Sequence, residues 1–291
     1  MSKQTLKKTL ETFFIDPDYK SPLAELGLTS IDAVFSFDAG TNLAKNNLAP
    51  YRTRLRFEIK PAASVYPITA FLKRYDGPPL MTQLKNWLSH RHRRSCAFFD
   101  FEAAAELSRA GINTPKTIAC GEQWEILFEK RSFIITEKIP NAESLERRLP
   151  DCFTGPPTVE SLRLRRAFIA QLAAFVRDFH RTRYRHRDLY LSHIFYGDNA
   201  RFYLIDLARA FRPKLFAERF RRKDISQLYY SAPAGRFSNT DRLRFYFAYT
   251  GRCSLTGKDK IFIRKITSKA RRMARHDTKH GKSAPFAGRH I

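Results

Sequence analysis

His186-Arg187-Asp188-Leu189-Tyr190-Leu191-Ser192-His193 is the stretch on which the reading of this chain turns. Before it runs Leu162 to His180, where Leu164, Phe168, Leu172, Phe175 and Phe179 recur every three or four residues, the spacing of one buried helix face. After it, Phe195-Tyr196, Gly197-Asp198-Asn199 and Phe202-Tyr203-Leu204-Ile205 read as strand, turn and strand, and Asp206 follows at once. An Asp just beyond a long helix and a second Asp 18 residues later, at the end of a hairpin, can converge on one site.

The N-terminal half reads differently. Thr5 to Ile15 is expected to form a short amphipathic helix, and Val34-Phe35-Ser36-Phe37 the start of a strand. Arg54-Leu55-Arg56-Phe57-Glu58-Ile59 alternates polar and apolar residues, as a half-buried strand does. Lys60 to Ser64 reads as a turn and Tyr66 to Tyr75 as a second strand, stopped by Asp76-Gly77-Pro78-Pro79. Helices are expected at Met81 to Ser89 and Asp100 to Ala110, the latter ended by Gly111, and short strands at Ile126 to Phe128 and Phe133 to Thr136. Composition shifts at Ile139-Pro140, and most of the remainder reads as helix. The expected class is therefore α+β. Residues 1–139 form an N-terminal extension and a β-rich lobe, and residues 140–291 a helical lobe with a basic C-terminal helix and tail.

Composition narrows the function classes. The 291 residues include 53 Lys+Arg against 28 Asp+Glu, a formal charge of +25, which points to anionic partners: nucleic acid, a membrane surface or a phosphorylated or acidic substrate. A hydrophobic fraction of 43% with 25 Phe and 12 Tyr excludes a long disordered basic chain. Phe168 to Val176, the longest nearly unbroken apolar run, is far short of the ~20 residues that span a bilayer. Met1 to Phe14 lacks the apolar core of a secretory signal. Cys96, Cys120, Cys152 and Cys253 are scattered, so zinc is not expected, and mostly buried reduced thiols are.

Two converging aspartates suit phosphoryl transfer. One carboxylate orients and deprotonates the attacking hydroxyl, while the other holds Mg²⁺ against nucleotide phosphates. Ile68-Thr69-Ala70-Phe71-Leu72-Lys73 adds an apolar strand ending in a lysine, which is costly to desolvate unless it meets anions.

These residues resemble the protein-kinase-like fold, a bilobal architecture with a β-rich N-lobe and a mostly helical C-lobe. H-R-D at 186–188 matches its catalytic-loop motif, Asp206 its metal-binding Asp and Lys73 its strand lysine, with the hinge near Thr136-Glu137-Lys138-Ile139. The departures point to one branch. Tyr190 and His193 stand where protein kinases carry Lys and Asn, Asp206 is followed by Leu207-Ala208-Arg209, and no A-P-E segment occurs. H-R-D-x-Y-x-x-H with a following D-L-x-R-A is similar to the lipopolysaccharide kinase family (WaaP/InaA type). Gly77 to Leu88, Gly111 to Thr114, Ser132 to Glu137, Arg222-Lys223-Asp224-Ile225 and Leu228 to Ser231 also fit, so the resemblance runs from about Tyr51 to Lys279.

The resemblance implies an ATP- and Mg²⁺-dependent kinase acting on a sugar hydroxyl, heptose or similar, of the lipopolysaccharide inner core. It implies Asp188 as catalytic base, Asp206 and His193 at the metal, Lys73 at the α/β-phosphates, and Glu137 at the hinge. Either Asp100 or Glu102 pairs with Lys73; Asp100 has the apolar helical neighbours Ala104 and Leu107, and Glu102 the more usual side chain. The Gly-rich phosphate loop is absent, so Asp38 to Tyr51 would cover the nucleotide by other means, such as Asn42, Lys45 and Asn46. The implied partners are the lipopolysaccharide core or a lipid-linked saccharide and an anionic inner-membrane surface, from the cytoplasmic side, with no specific nucleic acid.

Two alternatives compete: a kinase-like enzyme for another carbohydrate, a small molecule or a protein, and a basic nucleic-acid-binding protein. His186 is expected to brace the loop and His180 to hydrogen-bond at its helix end. Ile261, Ile263, Ile266, Ala270 and Met273 place one apolar side on a basic C-terminal helix, either packed with solvated cations or set on a membrane surface.

Overall fold

The computed structural model describes residues 9–43, 49–61, 64–281 and 285. The chain forms two compact units. The first comprises residues 1–106, 114–139 and 206–209, and the second residues 107–113, 140–205 and 210–291.

In the first unit, in chain order, are β1 (Thr9–Ile15), α1 (Lys20–Glu25), α2 (Ile31–Ser36), β2 (Thr41–Asn42), β3 (Arg52–Ile59), β4 (Ile68–Asp76), α3 (Leu80–His90), most of α4 (Cys96–Arg109), β5 (Thr117–Glu125) and β6 (Phe128–Glu137). Its strands make one antiparallel sheet in the order β1-β5-β6-β4-β3-β2. Tyr19, Leu23, Leu28, Ile31 and Val34 pack on one face against Leu55, Phe57, Ala70, Leu72 and Ile135. Cys96 and Ala97 of α4 pack with Tyr75, Cys120 and Ile134. Because strand side chains alternate, Ala70 and Leu72 on the first face turn Lys73 toward the face that α4 covers.

The structure corrects several expectations. Residues 9–15 form strand β1, not a helix. Leu10, Phe13 and Phe14 imitate a helical stripe, but Phe13 and Ile15 pack against the core while Leu10 stays 61% exposed on the opposite side. Thr5 to Lys8 lie outside the described residues. Val34-Phe35-Ser36 belongs to helix α2, because the Ser30 hydroxyl caps the Ala33 N–H and outweighs the strand preference of Val and Phe. Strand β5 is a further element without a sequence signature: it is buried almost throughout and shows no alternation. Within it Gly121, paired with Phe13 and Phe133, must be glycine, because a Cβ there would lie 2.4 Å from the Phe133 ring. Ile126 sits in a left-handed turn, φ 44°, and β6 runs unbroken from Phe128. Only Cys96 and Cys120 are buried; Cys152 is half-buried and Cys253 exposed.

The second unit contains β7 (Ala142–Ser144), α5 (Leu145–Arg148), α6 (Val159–Arg181), β8 (Ile194–Gly197), β9 (Phe202–Leu204), α7 (Ala217–Ser231), α8 (Asn239–Thr250) and α9 (Gly257–Lys279). β7, β8 and β9 form a small antiparallel sheet. Helix α6 starts from a Thr158–Ser161 capping box and buries Ile169, Leu172, Ala173, Val176 and Phe179, while Leu164, at the start of the apolar stripe, is exposed. It packs on α8, and α7 packs on α9. The α+β class, with an antiparallel sheet first and helices after it, is the one the residue pattern predicts.

Candidate active site

In the first unit, β4 delivers Lys73 opposite Arg54 of β3 and Ile134 of β6. Lys73 Nζ lies 2.8 Å from Asp100 Oδ2 and 3.4 Å from Asp206 Oδ1, and Arg54 Nη2 lies 3.5 Å from Asp206 Oδ2. Two cations and two carboxylates therefore compensate one another in a mostly buried cluster. Burial alone would push the Lys73 ammonium toward neutrality, but Asp100 and Asp206 outweigh it, raise its pKa and hold it charged. Asp206 takes a left-handed backbone, φ 60°, a conformation that costs about 1 kcal/mol and that Asp tolerates better than most residues.

Asp100 is the helix carboxylate that meets Lys73. Glu102 turns outward to His92 at 2.9 Å and Arg94 at 3.5 Å. Glu137 ends β6, and its carboxylate accepts the Tyr19 hydroxyl while its N–H donates to Lys116 O at 2.9 Å. Tyr19 is held protonated, chiefly by burial and then by this carboxylate. Asn42 lies on β2, paired with Leu55, while Lys45 and Asn46 lie outside the described residues.

In the second unit, the loop carrying Asp188 is pinned by one face of α7. Asp224, fully buried, accepts the His186 N–H at 2.9 Å and the Arg187 N–H at 2.8 Å on its two oxygens. Gln227 Oε1 accepts the Leu189 N–H at 3.2 Å, and Ser231 Oγ accepts the Leu191 N–H at 3.0 Å. Positions 224, 227 and 231 lie one above another on a helix, so three side chains hold four loop amides. Arg187 itself is left-handed, φ 70°, a strain that this grip maintains.

Side chains complete the loop. His186 Nε2 is 2.9 Å from the Ile205 carbonyl, and His193 Nδ1 is 2.7 Å from the Asp188 carbonyl. The Asp188 carbonyl can only accept, so Nδ1 of His193 carries the proton in this bond. Lys223 of α7 donates to the Arg187 carbonyl and lies 3.6 Å from Asp188 Oδ1. His180 bridges Tyr249 at 2.8 Å and Asp224 at 3.3 Å, and burial lowers its pKa, favouring the neutral ring.

Three contributors escaped the residue pattern. Arg54 stands in register with Lys73 across the β3–β4 pair, which the alternation of β3 could have indicated. Lys223 and Asp224 fell in a stretch that the resemblance flagged without assigning roles. Among the described residues no three His, Cys, Asp or Glu side chains cluster closely enough to hold a metal. A single carboxylate, Asp206, still fits the way Mg²⁺ is held when phosphates and water complete its shell. No described helix is long and apolar enough to cross a membrane.

Comparison with known proteins adds a family match, two relatives and a solved structure. Residues 51–249 match the lipopolysaccharide kinase (Kdo/WaaP) family. The lipopolysaccharide core heptose(I) kinase WaaP of Escherichia coli (strain K12) is 34% identical over 207 residues, covering 69% of this chain and 75% of that one. Its namesake from Pseudomonas aeruginosa is 33% identical over 157 residues, 52% of this chain and 58% of that one. A solved structure described as WaaP in complex with acyl carrier protein superposes with a TM-score of 0.69 at 25% identity, covering 90% of this chain and 99% of that one.

Proposed function

The chain belongs to the lipopolysaccharide kinase (Kdo/WaaP) family, and from that premise we propose that it transfers the γ-phosphoryl group of ATP to a heptose hydroxyl of the lipopolysaccharide inner core. Kinase chemistry with ATP follows from the family. The observation that carries it is the Asp188 loop, with four amides fixed by α7 and Lys223 set against the carboxylate.

The residues divide the work. Asp188 orients the sugar hydroxyl and takes its proton as the new O–P bond forms and the bond from the γ-phosphorus to the bridging oxygen of ADP breaks. Lys223 offsets charge beside Asp188, at the position in chemistry that Tyr190 cannot fill. Lys73 binds the α/β-phosphates, positioned by Asp100. Mg²⁺, held by Asp206 and the phosphate oxygens, would neutralise charge on the transferring group. His193 is assigned to bracing the loop through its hydrogen bond to the Asp188 carbonyl, since imidazole is a poor Mg²⁺ ligand. Glu137 serves the nucleotide side through the backbone at the end of β6.

We place the reaction at the cytoplasmic face of the inner membrane, where ATP and a lipid-linked saccharide meet. Acyl carrier protein, bound by the structural neighbour, is a proposed partner here too, and co-purification would test it. The deciding assay incubates the protein with labelled ATP and lipopolysaccharide of defined, unphosphorylated core, then maps the phosphate by mass spectrometry. Label on heptose is expected. Label confined to another sugar, or no transfer by folded protein, would overturn the acceptor assignment.

A further inference from the structure

Helices α7 and α9 enclose a groove of about 1290 Å³ in the second unit. Arg219 and Arg222 enter it from α7, and Arg264, Lys265, Lys269 and Arg272 from α9. The spacings i and i+3 on α7, and i, i+4 and i+7 from Lys265 on α9, put each set on one face. The acidic residue on the wall is Asp277, which accepts the Tyr230 hydroxyl. Burial and then Arg272, Arg222 and Arg219 lower the pKa of Lys269, so the cations crowd one another there. Packing alone gives no reason to gather six like charges around a cavity, because like charges at helical spacing destabilise both helices.

The groove also has an address. Tyr190, two residues after Asp188, forms part of its wall, and Arg222 precedes the Lys223 that contacts Asp188. An anion held there lies beside the loop that does the chemistry.

We propose that the α7–α9 groove binds the acidic substituents, phosphate or carboxylate, of the acceptor glycolipid and thereby seats its sugar beside Asp188. This rests on the acceptor reading given above. A concave wall continuous with the Asp188 loop suits a branched, charged saccharide. A planar bilayer would instead meet an outward face, so membrane headgroups are the competing occupant in the test.

The variant R264Q/R272Q removes two exposed cations, so folding is not at stake. Calorimetry would titrate full-length wild type and variant with deacylated lipopolysaccharide core oligosaccharide carrying its native phosphates and acidic sugars. The expected result is binding about tenfold weaker in the variant, with a shallower salt dependence. KM for intact lipopolysaccharide should rise by a similar factor, with kcat at saturation unchanged. Equal affinity of the two proteins for the deacylated oligosaccharide overturns the proposal. So does a defect confined to vesicles of anionic lipid that carry no saccharide, which assigns the groove to the membrane. If oligosaccharide binding depends on the groove but heptose receives no phosphate, the groove stands and the heptose assignment falls.

Discussion

Lys73 Nζ is 2.8 Å from one oxygen of Asp100, and the other oxygen of the same carboxylate accepts the Leu207 N–H at 3.0 Å. One side chain on α4 therefore fixes both the lysine of β4 and the backbone just past Asp206. Asp206 in turn meets Lys73 and Arg54, so the four charges are set as a unit.

Replacing Asp100 should separate it from Glu102. In Asp100→Ala, Lys73 keeps only Asp206 and a buried backbone N–H loses its acceptor, so stability should fall by about 3 kcal/mol and KM for ATP should rise by about tenfold. Glu102→Ala breaks only outward pairs with His92 and Arg94 and should cost less than about 1 kcal/mol, with KM for ATP unchanged. Denaturant titration and nucleotide kinetics on both variants decide the matter. Equal effects would show that Asp100 has no special part.

Lys223 should matter to the chemical step. Lys223→Met keeps the length of the side chain and removes the cation beside Asp188, so kcat should fall by about 10- to 100-fold with little change in KM for ATP. Lys223→Arg should recover part of the loss. Steady-state kinetics with unchanged kcat in the Met variant would remove Lys223 from the reaction.

What the residues disclose and what they hide follows from how local each signal is. The alternation of β3 and the stripe of α6 are patterns within one element, and both elements form. Lys73, Asp188 and Asp206 stand out because their spacing along the chain is itself a pattern. Leu10, Phe13 and Phe14 mislead, because three apolar residues at helical spacing also occur on a strand with both faces covered in part. Phe14 packs on Phe101, a partner 87 positions away that no local window contains. Strand β5 is hidden for the same reason: buried Glu122 and Gln123 break its apolar run, and their partners Arg94 and Arg131 lie elsewhere in the chain. Asp224 is a mid-helix Asp whose work shows only when the loop amides are in place.

Glu129 should make stability depend on pH. It is buried on β6, accepting the Ser132 hydroxyl and the Cys96 N–H, and burial pushes its pKa from 4.5 to about 7. Between those values the folded chain binds more protons than the unfolded one, so stability declines as pH rises through the window and levels off above it, losing about 3 kcal/mol. Glu129→Gln copies the neutral form and should remove this decline. Urea titrations at pH 5 and pH 8 test it: the two proteins should diverge as pH rises, and parallel curves would refute the assignment.

Asp188 and Asp224 lie on the two sides of the same grip and should fail in different ways. Asp188→Asn removes the base and keeps the shape, so transfer should fall by about 10³-fold while stability and stabilisation by ATP persist. Asp224→Asn turns an NH₂ toward one of two buried N–H groups that now share a carboxylate, so the loop loses its anchor and stability should drop by about 3 kcal/mol along with kcat. Thermal melts with and without ATP, read beside the transfer assay, separate a chemical loss from a structural one. If Asp188→Asn unfolded the protein as Asp224→Asn should, Asp188 would be part of the scaffold and the proton acceptor would have to be sought elsewhere.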